Sequence, residues 1–151
     1  MKTIACKKDN DVIVQATCLL LVRHFRNLIE LNDSGYGFHT RIFSHILHPE
    51  HRFVHAGDSE QVTADTPTHP EHVVPCATLI EECKRLISAG HHTDEQIAHL
   101  LQKHWKVATI TKKEKMTLDF DLGYKSKMPE GWDFENSDTF SRFKLANISL
   151  K

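Results

Sequence analysis

Histidine is the residue type that stands out in this chain: it supplies twelve of 151 residues, against 19 Lys+Arg and 20 Asp+Glu. Seven fall in one stretch: His39, His45, His48, His51, His55, His69 and His72. Neutral imidazole is the commonest protein metal ligand, and histidine is the side chain that titrates near neutrality unaided, so a cluster suits metal binding or proton transfer. The densest pattern is His69-Pro70-Glu71-His72-Val73-Val74-Pro75-Cys76. Two imidazoles with a carboxylate between them and a thiol further on could ligate Zn2+, although the spacing matches no zinc-finger signature. The plainer reading is a short strand bracketed by Pro70 and Pro75, its histidines hydrated or hydrogen-bonded. Of the others, His91 and His92 follow Gly90, where cations complement a helix C-terminus, His99 reads as exposed, and His104 as a boundary or core residue.

Glu71-His72-Val73-Val74-Pro75 resembles the first motif of the HNH, or ββα-metal, nucleases, an acid-His-apolar-apolar-Pro stretch. The resemblance implies that His72 is the general base activating water at phosphorus, and that Glu71, with His69 nearby, holds one divalent ion (Mg2+, Mn2+ or Zn2+). It covers five residues. In that family a second strand and a helix complete the site, with an Asn between the two His motifs; here a helical pattern starts at Cys76, and no Asn lies between Asn32 and Asn136. His99 or His104 would have to stand in for the last ligand.

Charge adds a second indication. Residues 103–127 hold seven lysines, including Lys112, Lys113 and Lys115, against Glu114, Asp119 and Asp121, with Trp105 and Tyr124 inside the segment and Trp132 just beyond it. Lysines interleaved with aromatics suit a phosphate backbone and unstacked bases, and equally suit a solvated surface. No nucleophile elbow, P-loop, H-E-x-x-H or dinucleotide fingerprint is present. The four cysteines form no C-x-x-C pair and read as buried small hydrophobes in a reducing compartment; Cys76 begins an apolar stripe.

The elements that must position these residues read as mainly helical. Val14, Cys18, Leu21, Phe25 and Leu28 recur at helical spacing within 12–31, and turn-forming residues 32–37 should end that helix. A short helix is expected around Ile42–Leu47, ending before Pro49. Residues 49–71 read as a long acidic, His-rich loop. Cys76, Leu79, Ile80, Cys83, Leu86 and Ile87 predict an amphipathic helix closed by Gly90, and Thr93 to Gln96 is a capping box opening its partner. A strand over 105–111, a second capping box at Thr111 to Glu114 with a helix through Leu118, and a last helical turn near Phe140 and Phe143 complete the pattern.

Length, a formal net charge of −1 and 40% hydrophobic residues fit one α+β, mostly helical domain over 1–151, with a helical hairpin at about 76–104 and a few short strands. No apolar run reaches membrane-span length and the N-terminus lacks a signal-peptide pattern, so a cytoplasmic protein without a membrane partner is expected. Two function classes follow. One is a metal-dependent hydrolase of DNA or RNA, or a degenerate relative. The other is a non-catalytic interaction protein, dimeric or bound to a protein partner, using the His-rich loop and Trp132. Twelve histidines would also add up to about twelve charges below pH 6, the requirement for a pH-responsive protein.

Overall fold

A computed structural model of the chain describes residues 7–31 and 37–151. The turn expected at 32–37 falls almost wholly outside them. Helical spacing of Val14, Cys18, Leu21, Val22 and Phe25 builds α1 (Lys7–Glu30), which buries those five residues. Over Asp9–Glu30 this helix is also long and apolar enough to cross a membrane by length and composition, with 33% of the window buried.

The hairpin forms as predicted. In α4 (Cys76–Ala89), Leu79, Ile80, Cys83, Leu86 and Ile87 face inward, and Gly90 closes the helix at φ 76 with its N–H on the Leu86 carbonyl. In α5 (Asp94–His104), both halves of the Thr93–Gln96 capping box are made. Helices α1, α4 and α5 pack on one another around the larger core, which also takes in Phe43, Trp105 and Phe134.

The segment 49–71 departs from expectation. After α2 (Ile42–Ile46) and a cis His48–Pro49 bond it carries α3 (His51–Val54), β1 (His55–Asp58) and most of β2 (Thr68–His72), leaving 49–50 and 59–67 outside regular elements. Elements of four or five residues are too short to display a period, and Pro70 inside β2 masks the strand. Pro70 is tolerated because β2 lies at a sheet edge, where its missing N–H costs no ladder bond. The sheet order is β1-β3-β2, with β3 (Val107–Thr111) central, parallel to β1 and antiparallel to β2.

Thr111 caps α6 (Lys112–Met116) through the predicted box with Glu114. The chain then continues as a π-helical turn, Thr117–Asp121, and ends with α7 (Ser141–Leu145). A second, smaller core of Val73, Ala108, Ile110, Leu118, Phe143 and Ile148 lies between the sheet and this C-terminal part. The molecule is thus a mostly helical α+β fold with one three-stranded sheet.

Candidate active site

Side chains alternate across a strand, so Glu71 and His72 at the end of β2 leave on opposite sides. Their surroundings differ accordingly.

On the Glu71 side, Arg142 is fully buried. Its guanidinium donates to Glu71 Oε1 at 3.1 Å, to the Tyr124 carbonyl at 2.7 Å, to the Val73 carbonyl at 3.3 Å and to the His72 carbonyl. It therefore grips the carboxylate and three separate backbone carbonyls, holding the end of β2 against α7. Glu71 Oε2 faces His69 Nε2 at 3.3 Å and Lys115 Nζ at 3.6 Å, and Lys115 continues to Asp119 at 2.8 Å. Burial lowers the pKa of His69, leaving it neutral near pH 7.

On the His72 side, Nε2 donates to Glu50 Oε2 at 2.7 Å, and the same oxygen accepts the indole N–H of buried Trp105 at 2.7 Å. Cys76, at the start of α4, lines the same cleft. Burial works against charge on His72, but hydrogen bonds and charge from Cys76 and Glu50 outweigh it and raise the pKa to about 10. His72 is therefore an imidazolium at neutral pH. In that state it is placed to donate a proton rather than to accept one, unlike the general-base role expected from the sequence.

Glu71, His72 and Cys76 share a cleft of about 330 Å3 with Thr40, Arg41, Ser44, Lys125 and Ser126. The two carboxylates nearest it are already neutralised, Glu50 by His72 and Glu71 by Arg142 and Lys115. Arg41 and Lys125 are exposed at its rim. The balance of charge in the cleft is cationic, with hydroxyl groups between the cations, an arrangement suited to an oxyanion such as phosphate.

The donor set does not fit a resident divalent metal. Lys115 places its ammonium between Glu71 and Asp119, where the charge of a metal would be needed. Among the described residues no group of three or more His, Cys, Asp or Glu is arranged to hold one. Nor do the substitutes reach the site: His99 is exposed, while His104 is buried between the Phe134 carbonyl at 2.7 Å and Thr139 Oγ1 at 2.9 Å. His39, His45, His48, His51 and His55 are all exposed, and His51 and His55 stack on each other.

Strand β2 pairs antiparallel with β3, which leads straight into α6; the hairpin α4–α5 is inserted between the strands. Lys115 of α6 faces Glu71, whereas Lys112 and Lys113 are exposed elsewhere on that helix. Trp132 is half-buried, its ring against His104 and Phe134 and its N–H on the Asp138 carbonyl, so its contacts are internal.

No protein-family model, curated protein or solved structure matches this chain.

Three residues of the site carried no sequence signal of their own, Glu50, Arg41 and Arg142, while Lys125 carried only its place in the Lys-rich segment 103–127. Cys76 did carry one, a thiol four residues after His72 and directly after Pro75. Its place in the apolar stripe of α4 concealed it, yet the structure leaves it half-exposed in the cleft wall.

Proposed function

We propose that the cleft binds the phosphodiester backbone of a nucleic acid and cleaves it by proton transfer, with His72 as the acid. The observation that carries this reading is the His72 ring fixed by Glu50 at 2.7 Å in a cleft rimmed by Arg41 and Lys125. Arg41 and Lys125 would take the non-bridging phosphate oxygens. As water adds to phosphorus, giving up a proton to solvent, the P–O bond to the leaving oxygen would break and the His72 ring nitrogen not bound to Glu50 would protonate that oxygen; the Glu50–Trp105 contact would hold the ring in place. The β2–β3–α6 order supports the nuclease class. The cations of this site are side chains, which favours chemistry independent of a divalent metal.

The test uses an activated aryl phosphodiester and single-stranded RNA and DNA, each with EDTA and then with Mg2+, Mn2+ or Zn2+. Expected are cleavage in EDTA, a loss of roughly 100-fold or more in kcat for His72→Gln, and a raised KM for Arg41→Gln and Lys125→Gln. Cleavage that needs a metal and disappears in Glu71→Gln would restore the metal-dependent nuclease. No cleavage under any of these conditions would remove both.

A further inference from the structure

Two of the six arginines, Arg41 and Arg52, have no carboxylate partner among the described residues. The other four are held by Glu95, Asp94, Glu82 and Glu71. Each unpaired guanidinium lines a cavity. Arg41 rims the cleft beside His72, while Arg52 lines a second cavity of about 420 Å3 together with Lys106, His55, Asn10 and Asp11. Lys106 likewise has no carboxylate partner among the described residues, so two cations face the single carboxylate of that lining, Asp11. Burial lowers the pKa of His55, leaving it neutral near pH 7, and its Nε2 faces Asp58 and the Thr109 hydroxyl, each at 3.3 Å.

The sheet brings the two cavities to one end. His55 at the start of β1 and His72 at the end of β2 both pair with Val107, from opposite sides of β3. Residues paired across strands share a face, and two strand spacings put the two Cα atoms about 10 Å apart. The same short segments serve both cavities. Glu50 bonds His72 while Arg52 lines the second cavity, and Trp105 bonds Glu50 while Lys106 lines the second cavity. A stacked single strand carries one phosphate per about 3.4 Å, so the span corresponds to roughly three nucleotides.

We infer that the cavity of Arg52 and Lys106 is a second phosphate subsite, and that this end of the sheet takes a single-stranded nucleic acid long enough to engage both cavities. The inference rests on the reading of the first cleft as a phosphodiester site and names the form of substrate it accepts. A dinucleotide reaches one subsite; a longer strand reaches two.

The experiment follows fluorescence anisotropy of end-labelled thymidine oligomers, a dinucleotide and an octanucleotide, over a series of salt concentrations. Their linkages are phosphorothioates, which keep the charge and resist hydrolysis. Arg52→Gln and Lys106→Gln should each weaken octanucleotide binding by about tenfold and flatten the slope of log K against log salt by about 0.7. Both should leave the dinucleotide unchanged, whereas Arg41→Gln should weaken both oligomers. Lys112→Gln and Lys113→Gln, on exposed positions away from either cavity, should leave the octanucleotide slope as it is. A slope unchanged in Arg52→Gln and Lys106→Gln overturns the inference, and so does an equal loss in the Lys112 and Lys113 variants, which would mean a diffuse basic surface. If the dinucleotide binds too weakly to measure, the octanucleotide slopes decide. Octanucleotide binding with these slopes, but no cleavage of unmodified strands, removes the chemistry and leaves the two subsites. Cleavage of single-stranded RNA whose KM is the same in Arg52→Gln and Lys106→Gln keeps the chemistry and removes the second subsite. An octanucleotide that does not bind the wild type removes both.

Discussion

Arg142 shows how a single side chain far along the chain can set the geometry of the site. It touches nothing that reacts, yet it holds both the Glu71 carboxylate and the carbonyl of His72. Removing one partner of a buried ion pair leaves the other charge without compensation, at a cost of about 3–5 kcal/mol. Arg142→Met should lose stability on that scale in urea unfolding, and Glu71→Met in the same chain should recover part of it, because the double variant buries no charge. Additive losses in the two single variants would show that the pair is not coupled. The candidacy of Glu71 and His72 was legible in the sequence. Their divergence was not, since it depends on a five-residue strand interrupted by Pro70. Glu50 was likewise silent, because its partners His72 and Trp105 lie 22 and 55 residues away.

Among the elements, legibility follows length and capping. Helices α1, α4 and α5 declare themselves through several turns of apolar spacing, and the two boxes at Thr93 and Thr111 mark helix starts to the residue. The boxes are not equivalent. Thr93 lies exposed at the outer end of the hairpin, whereas Thr111 is buried and its partner Glu114 also accepts the Ser59 hydroxyl at 2.8 Å. Thr93→Ala should cost about 1 kcal/mol. Thr111→Ala should cost more, because the same change loosens Glu114 from Ser59 beyond the end of β1. Urea titrations of the two variants test this order, and equal losses would mean that the Ser59 link contributes nothing. The short elements α3, β1 and β2 stayed invisible for a different reason. They owe their form to β3 and the packed helices rather than to a period of their own.

At the scale of the whole molecule, two histidines give stability opposite dependences on pH. His104 has its pKa lowered, chiefly by burial, below the ordinary value of 6.5. Its contribution is therefore present above about pH 6.5 and lost as pH falls through the folded-state value. His72 has its pKa raised to about 10, so its contribution is complete below about pH 6.5 and lost as pH rises towards 10. Thermal melts across pH 4–10 should give a maximum between the two limbs. His72→Gln should flatten the alkaline limb and His104→Gln the acid one. An alkaline limb unchanged by His72→Gln would place its origin in another group. The sheet order has a consequence of a different kind, for a chain leaving the ribosome. Strands β1 and β2 emerge before the strand that lies between them, and β3 begins 35 residues after β2 ends. At about 5–20 residues per second this is a wait of roughly two to seven seconds. During that interval α4 and α5 are being made and can pair as a hairpin. The nascent molecule thus acquires helical packing first, and the end of β2 that carries His72 gains its ladder partner only once Val107 has emerged.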